Sequence, residues 1–203
     1  FGLAGMIMTL WTGDGSAVEV ARVQPMKLAA MEGLYDGNVG QSLVAVGFVN
    51  PDKKPGDNLE AIKGEISIPY GLSILANHDP NSFVPGINDL IEGRTITADG
   101  DTVYGDSYAD RIVMGKAARE ALARYAEAKS SGDTAAMSRA KDDVMANFKY
   151  FGYGYLDSAE EAVPPVALTF YSFRVMVMAG GYLLLLFIAL IFICYRRKDV
   201  IEK

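Results

Sequence analysis

Residues 175–195 read VMVMAGGYLLLLFIALIFICY, 21 positions without a charge, and Arg196, Arg197 and Lys198 follow at once. A helix rises 1.5 Å per residue, so about 20 apolar residues cross the hydrocarbon core of a bilayer. A basic cluster directly behind such a span marks its cytoplasmic side. The polar segment that precedes the span is therefore expected on the outer side of the membrane.

The chain opens on a second apolar run, FGLAGMIMTLWT, residues 1–12. It has neither the basic start nor the small-residue cleavage site of a signal peptide. About 12 residues are too few to span a bilayer. The run is expected to be the outer half of a membrane helix whose first half lies outside this sequence; the rival reading is a buried helix of a soluble domain. The expected fold class is mainly α. The chain then reads as a membrane-protein excerpt with two transmembrane helices, the first truncated, and a partly helical extracytoplasmic loop carrying one small β-hairpin. The boundaries are 1–12 for the first helix end, 13–165 for the loop, 166–195 for the second helix and 196–203 for a cytoplasmic basic end.

Composition agrees. Of 203 residues, 50% are hydrophobic, and that surplus sits at the two ends. Between Asp14 and Phe173 there are 14 Lys/Arg against 23 Asp/Glu, a net charge of −9. Such a surface speaks against nucleic acid and against anionic headgroups as partners of the loop. The one cysteine, Cys194, lies at the inner end of the span, so the loop has no disulfide to hold it. A small hydrophobe in a membrane helix is the better reading of Cys194 than a reactive thiol.

Local signals divide the loop. Gly13, Asp14, Gly15 and Ser16 are expected to break the first helix. Residues 18–35 read as helical, with a restart near Gln24 because proline at position 25 fits a first helical turn. Ser42 to Val49 and Ile62 to Pro69 read as strands that pair as a hairpin. Tyr70 to Asn77 and Pro85 to Glu92 are short helical candidates. Gly93 to Asp106 is polar and glycine-rich and reads as a variable, mobile insert. Tyr108 to Ser130 is an amphipathic helix stopped by Gly132. Asp133 caps another helix, Thr134 to Phe148. Pro164 and Pro165 lead into the membrane helix.

Few residues are placed to carry chemistry. Arg174 stands at the outer mouth of the span, where a charge has a partner, a purpose, or a route to the headgroups by snorkelling. Met176 lies two residues deeper; a thioether is a soft ligand and an axial ligand of haem iron, although membrane helices hold many methionines. Lys27 and Glu32 are five apart, about 140° around a helix, and so do not share a face. They either flank a bound molecule or form solvated charges of little consequence. His78, the one histidine, falls in a turn. The aspartates at 99, 101, 106 and 110 lack the fixed positions and the terminal Glu of a calcium loop.

Two of these stretches fit one family. QPMKLAAME at 24–32 and FRVMV at 173–177 occur with IPYGL at 68–72 and FGYG at 151–154 in order between them. The set resembles subunit I of the cytochrome bd quinol oxidases, from the end of transmembrane helix 6 through the quinol-binding loop to helix 7. The resemblance implies that Lys27 and Glu32 are the lysine and glutamate needed for quinol oxidation. It implies that Met176 is the axial methionine of the low-spin haem b and Arg174 the arginine near that haem. It also implies a high-spin haem b and a haem d whose ligands lie outside this chain. Ubiquinol or menaquinol would be the substrate, with subunit II and membrane lipid as partners and no nucleic acid. The implied place is the bacterial inner membrane, with the loop facing the periplasm or outside. Residues 93–106 match that family poorly. The rival reading is a non-enzymatic, membrane-anchored extracytoplasmic sensor or binding domain, in which Lys27 and Glu32 are surface residues.

Overall fold

The computed structural model describes residues 1–196. The architecture is mainly α, with seven α-helices and three two-stranded antiparallel ladders among the described residues. The expected basic end, 196–203, lies outside the described residues apart from Arg196.

Helix α1 runs unbroken from Gly2 to Val23. The expected exit at residues 13–16 is therefore corrected. A glycine inside a helix costs only about 1 kcal/mol relative to alanine, and α1 absorbs Gly13 and Gly15. The hydroxyls of Thr12 and Ser16 donate back to the carbonyls of Met8 and Thr12 at 3.0 and 2.8 Å, so they do not pull the chain out of the helix. The break comes at Pro25, which has no N–H to give and clashes with a preceding carbonyl. Gln24 leaves the helical region (φ −132°, ψ 57°), and Pro25 begins α2, Pro25–Glu32. Gly33 ends α2 in the left-handed conformation at φ 62°, two residues before Tyr35, the last residue of the stretch that reads as helical.

Strand β1 (Asn38–Val39) precedes the expected hairpin, β2 (Leu43–Val49) with β3 (Ile62–Ile68). The hairpin runs from Leu43 opposite Ile68 to Val49 opposite Ile62, with two irregularities on the way. Helix α3 (Gly71–Asn77), strand β4 (Phe83–Val84) and helix α4 (Ile87–Glu92) follow. β1 pairs with β4, a ladder of two residues a side. The segment expected as an insert adds a further hairpin, β5 (Arg94–Ile96) with β6 (Thr102–Tyr104), closed by an Asp-Gly turn at residues 99–100. Asp-Gly is a favoured pair for tight hairpin turns.

Helix α5 (Tyr108–Ser131) starts at a Ser107–Asp110 reciprocal cap and ends at Gly132, φ 75°. Asp133 accepts from the N–H groups of Ala135 and Ala136 to cap α6, Thr134–Asn147. A 3₁₀ segment, Phe148–Tyr155, then packs back onto α5. Gly115 and Gly154 meet backbone to backbone there, with no room for a Cβ on either. The last helix, α7, spans Val166–Arg196. Among the described residues it is the one helix long and apolar enough to cross a membrane.

Helix α2 is the centre of the fold. Met26 and Ala29 pack with Tyr35, Ile87, Leu90 and Tyr108. Leu28 packs with Leu72, Ala76 and Val84 on another side. Phe170 of α7 is 1% exposed and closes a third cluster with Val44 and Ile62 of the β2–β3 hairpin. Burying that ring contributes about 2 kcal/mol. Asp89, also buried, accepts from the backbone N–H groups of Gly37 and Gly86 and from Arg94, which fixes the chain beyond α2 against α4 and β5.

Candidate functional site

Leu28, Ala29 and Glu32 fall on the buried side of α2, because Glu32 is one helical turn beyond Leu28 and Ala29. Glu32 is thus carried into the interior by the same periodicity that buries the apolar residues, and it is 2% exposed. A charge there requires a partner. Arg174 of α7 supplies it: Nη2 donates to Oε2 at 2.6 Å and Nη1 to Oε1 at 3.2 Å. The fork is bidentate, the geometry that guanidinium and carboxylate favour. Arg174 is 7% exposed. Its guanidinium lies 4.4 Å from the ring centroid of Phe170 and 5.3 Å from that of Phe173. The snorkelling reading of Arg174 is therefore overturned, and so is the solvated-charge reading of Glu32. Thr169 adds a second tie between α7 and α2, its hydroxyl donating to the Ala30 carbonyl at 3.3 Å.

Two influences oppose each other at Glu32. Burial pushes its carboxyl above the usual carboxylate range, and the hydrogen bond and charge of Arg174 pull it back in part. Burial is the larger.

A cavity of about 380 Å³ opens beside the pair, between the end of α2 and the β2–β3 hairpin. Glu32, Tyr35, Gln41, Lys53, Glu60 and Glu65 give it polar walls. Lys53, 8% exposed, is held by Asp57, with 2.9 Å from Nζ to Oδ1, and lies 4.9 Å from the Tyr35 ring centroid. The Tyr35 hydroxyl donates to the Lys53 carbonyl at 3.0 Å. Burial, and then the Asp57 charge, push that phenol upward.

The four expected site residues are not all gathered. Glu32 and Arg174 are joined. Lys27 is exposed on another side of α2, and among the described residues its side chain makes no hydrogen bond or ion pair. Met176 is 60% exposed and lies two residues beyond Arg174, about 200° around α7. Its thioether faces away from the Glu32–Arg174 pair. Sequence reasoning missed Tyr35 and Lys53, for which no local pattern calls. It also missed the pairing itself, although a glutamate in register with Leu28 and an arginine beside a membrane span were both charges in want of a partner.

Met176 is uncovered by this chain and offers one soft axial ligand. Arg174 Nε is buried without a hydrogen-bond partner among the described residues, a donor left over for a second acceptor. His78 lies in an exposed turn against Asp14, at 3.1 Å, and no group of three potential metal-ligating His, Cys, Asp or Glu side chains occurs among the described residues. What the described residues offer a haem is an exposed thioether and a spare buried donor, and not a whole site. Asp106 and Asp110 are engaged elsewhere, by Tyr150 and by the Ser107 cap.

Fold and site define a mainly α chain in which one helix suited to a membrane carries, at its mouth, an arginine that grips a buried glutamate of the preceding loop. The chain belongs to the cytochrome bd terminal oxidase subunit I family, whose model matches residues 1–201. It is similar to the cytochrome bd-II ubiquinol oxidase subunit 1 of Escherichia coli K12, 33% identical over 187 residues, 91% of this chain and 34% of that protein. The cytochrome bd ubiquinol oxidase subunit 1 of Bacillus subtilis is 25% identical over 187 residues, 92% of this chain and 26% of that protein. The solved bd oxidase from Geobacillus thermodenitrificans matches 90% of this chain and 46% of its own at 22% identity, with a TM-score of 0.37. The chain spans about a third of the length of the E. coli relative.

Proposed function

We propose that this chain forms the quinol-oxidising part of a terminal quinol:oxygen oxidoreductase in a bacterial inner membrane. The observation that carries the reading is Glu32: a buried carboxylate on a cavity wall, held by two hydrogen bonds from Arg174 and raised toward neutral pH by burial. Oxidation of a quinol to a quinone releases two electrons and two protons. A general base works best with its pKa near the working pH, and burial moves Glu32 in that direction. One Glu32 oxygen accepts the proton of a quinol hydroxyl while Arg174 holds the carboxylate in place. Lys27 lies outside this cavity, on another side of α2; its exposed side chain, unpaired among the described residues, serves quinol oxidation as a cation elsewhere on the quinol's path, stabilising anionic character there. The polar cavity walls, with Glu60 and Glu65 on the open side, give the proton its way out.

Met176 would hold the iron of a low-spin haem b through its thioether, and that group, when bound, would supply the acceptor for single electrons. The partner ligand, a high-spin haem b, haem d and subunit II belong to the rest of the complex. The basic residues 196–198 that follow the uncharged span support an outer position for the loop between α1 and α7, and protons then leave on that side. Family membership removes the ground for the sensor reading.

In the full-length oxidase, Glu32→Gln or Lys27→Ala lowers quinol oxidase turnover by about 10²-fold or more, the usual scale for a proton-transfer group, and leaves the haem spectrum intact. Normal turnover with both residues changed overturns the assignment. Met176→Leu removes the low-spin haem b signal; an unchanged spectrum defeats the ligand claim.

A further inference from the structure

The β2–β3 hairpin has an inner and an outer face. Val44, Gly47 and Ile62 are buried inside, toward Phe170. Val46, Phe48, Ile66 and Ile68 stand outside, 51 to 70% exposed. The irregularity between Val44 and Val46 makes this division, because it turns Val46 and Phe48 to the face opposite Val44. Four large apolar side chains on one outer face of a short hairpin ask for a cover.

The attachment of the hairpin says what the cover is. Val49 N–H donates to the Tyr171 hydroxyl at 3.0 Å, and Phe170 fills the hairpin's inner face. The hairpin therefore hangs at residues 170–171 of α7. The uncharged stretch of α7 begins at Val175, four residues or about 6 Å further along the helix. Each headgroup layer of a bilayer is about 5–7 Å thick. A hairpin fixed at that height lies in the headgroup layer and not above it. We infer that the outer face of the hairpin, Val46, Phe48, Ile66 and Ile68, rests on the acyl–headgroup boundary of the outer leaflet. The same hairpin walls the cavity beside Glu32, so a lipid-dissolved hydroquinone leaves the bilayer next to that carboxylate. The inference rests on α7 crossing the membrane and not on the roles assigned to Lys27 and Glu32.

The test uses the full-length oxidase in nanodiscs, with its accessible cysteines replaced and a nitroxide attached at Phe48→Cys or Ile66→Cys. A control label sits at Glu127→Cys, an exposed position on α5. Power-saturation EPR compares collisions with oxygen, which concentrates in lipid, and with a water-soluble nickel chelate. The expected result is oxygen access exceeding nickel access several-fold at 48 and 66, with the reverse at 127. Dominant nickel access at 48 and 66 overturns the inference, because the face then meets water. Low access to both reagents overturns it equally, because protein then covers the face. Quinol turnover of the labelled proteins is read alongside, so that loss of lipid contact with turnover retained separates this inference from the quinol assignment.

Discussion

Glu32 and Arg174 stand 142 positions apart in sequence and share two hydrogen bonds in space. Removing one member of a buried ion pair strands the other and costs about 3–5 kcal/mol. Glu32→Gln keeps a hydrogen-bonding group of the same shape and is the milder change. Arg174→Gln has a second effect. It removes what lowers the Glu32 pKa and leaves the burial that raises it. The acidic limb of the pH–turnover profile of Arg174→Gln is predicted to move to higher pH, read by steady-state quinol oxidation; a limb at or below the wild-type position contradicts this. Stability carries the same sign. A carboxyl whose folded-state pKa is raised binds its proton more tightly in the native state. Its contribution is complete below the ordinary value of 4.5 and is lost as pH rises through the elevated one. Thermal unfolding of the full-length protein is expected to show that loss, and Glu32→Gln to flatten it. At this scale the sequence was half legible. The residue types and positions of Lys27, Glu32, Arg174 and Met176 could be read. That Glu32 is buried and paired while Lys27 stays exposed depends on how α7 lies against α2, which no local pattern encodes.

Among elements, the helices and the main hairpin followed from local chemistry. Pro25 fixed the start of α2, Asp133 the start of α6 and Gly132 the end of α5, each through a backbone hydrogen bond made or denied nearby. Where local and global preferences disagree, the reading failed. Gly13 and Gly15 suggested a break that α1 does not have. β1 and β4 are two residues each and find one another across 44 positions, too short and too distant for an alternating pattern to register. The aromatic stretch at 150–155 gave no sign of what it docks on. Its glycine at 154 is explained by Gly115, which touches it from α5. A methyl group at residue 115 would run into the Tyr150 carbonyl and the Gly154 N–H, both backbone atoms that cannot turn aside. Gly115→Ala is therefore predicted to cost about 1–3 kcal/mol, the usual range for overpacking. Hydrogen exchange should show the loss as faster exchange in the 3₁₀ segment and in the facing turns of α5; unchanged protection there contradicts the packing described.

For the whole molecule, one helix organises the rest. Helix α2 joins α7 through Thr169 and Arg174, meets α4 through Ile87 and Leu90, and faces the cavity through Glu32. The described residues place the proposed proton acceptor and the proposed axial ligand on α2 and α7, with Arg174 touching the first and preceding the second by two positions. The account therefore requires that Glu32 serve quinol and leave the haem itself alone. Stopped-flow reduction of the full-length Glu32→Gln oxidase tests this most directly. The predicted result is a normal haem spectrum, full reduction by dithionite, and haem reduction by quinol slowed about 10²-fold or more. Quinol reducing the haem of that variant at the wild-type rate would contradict the account.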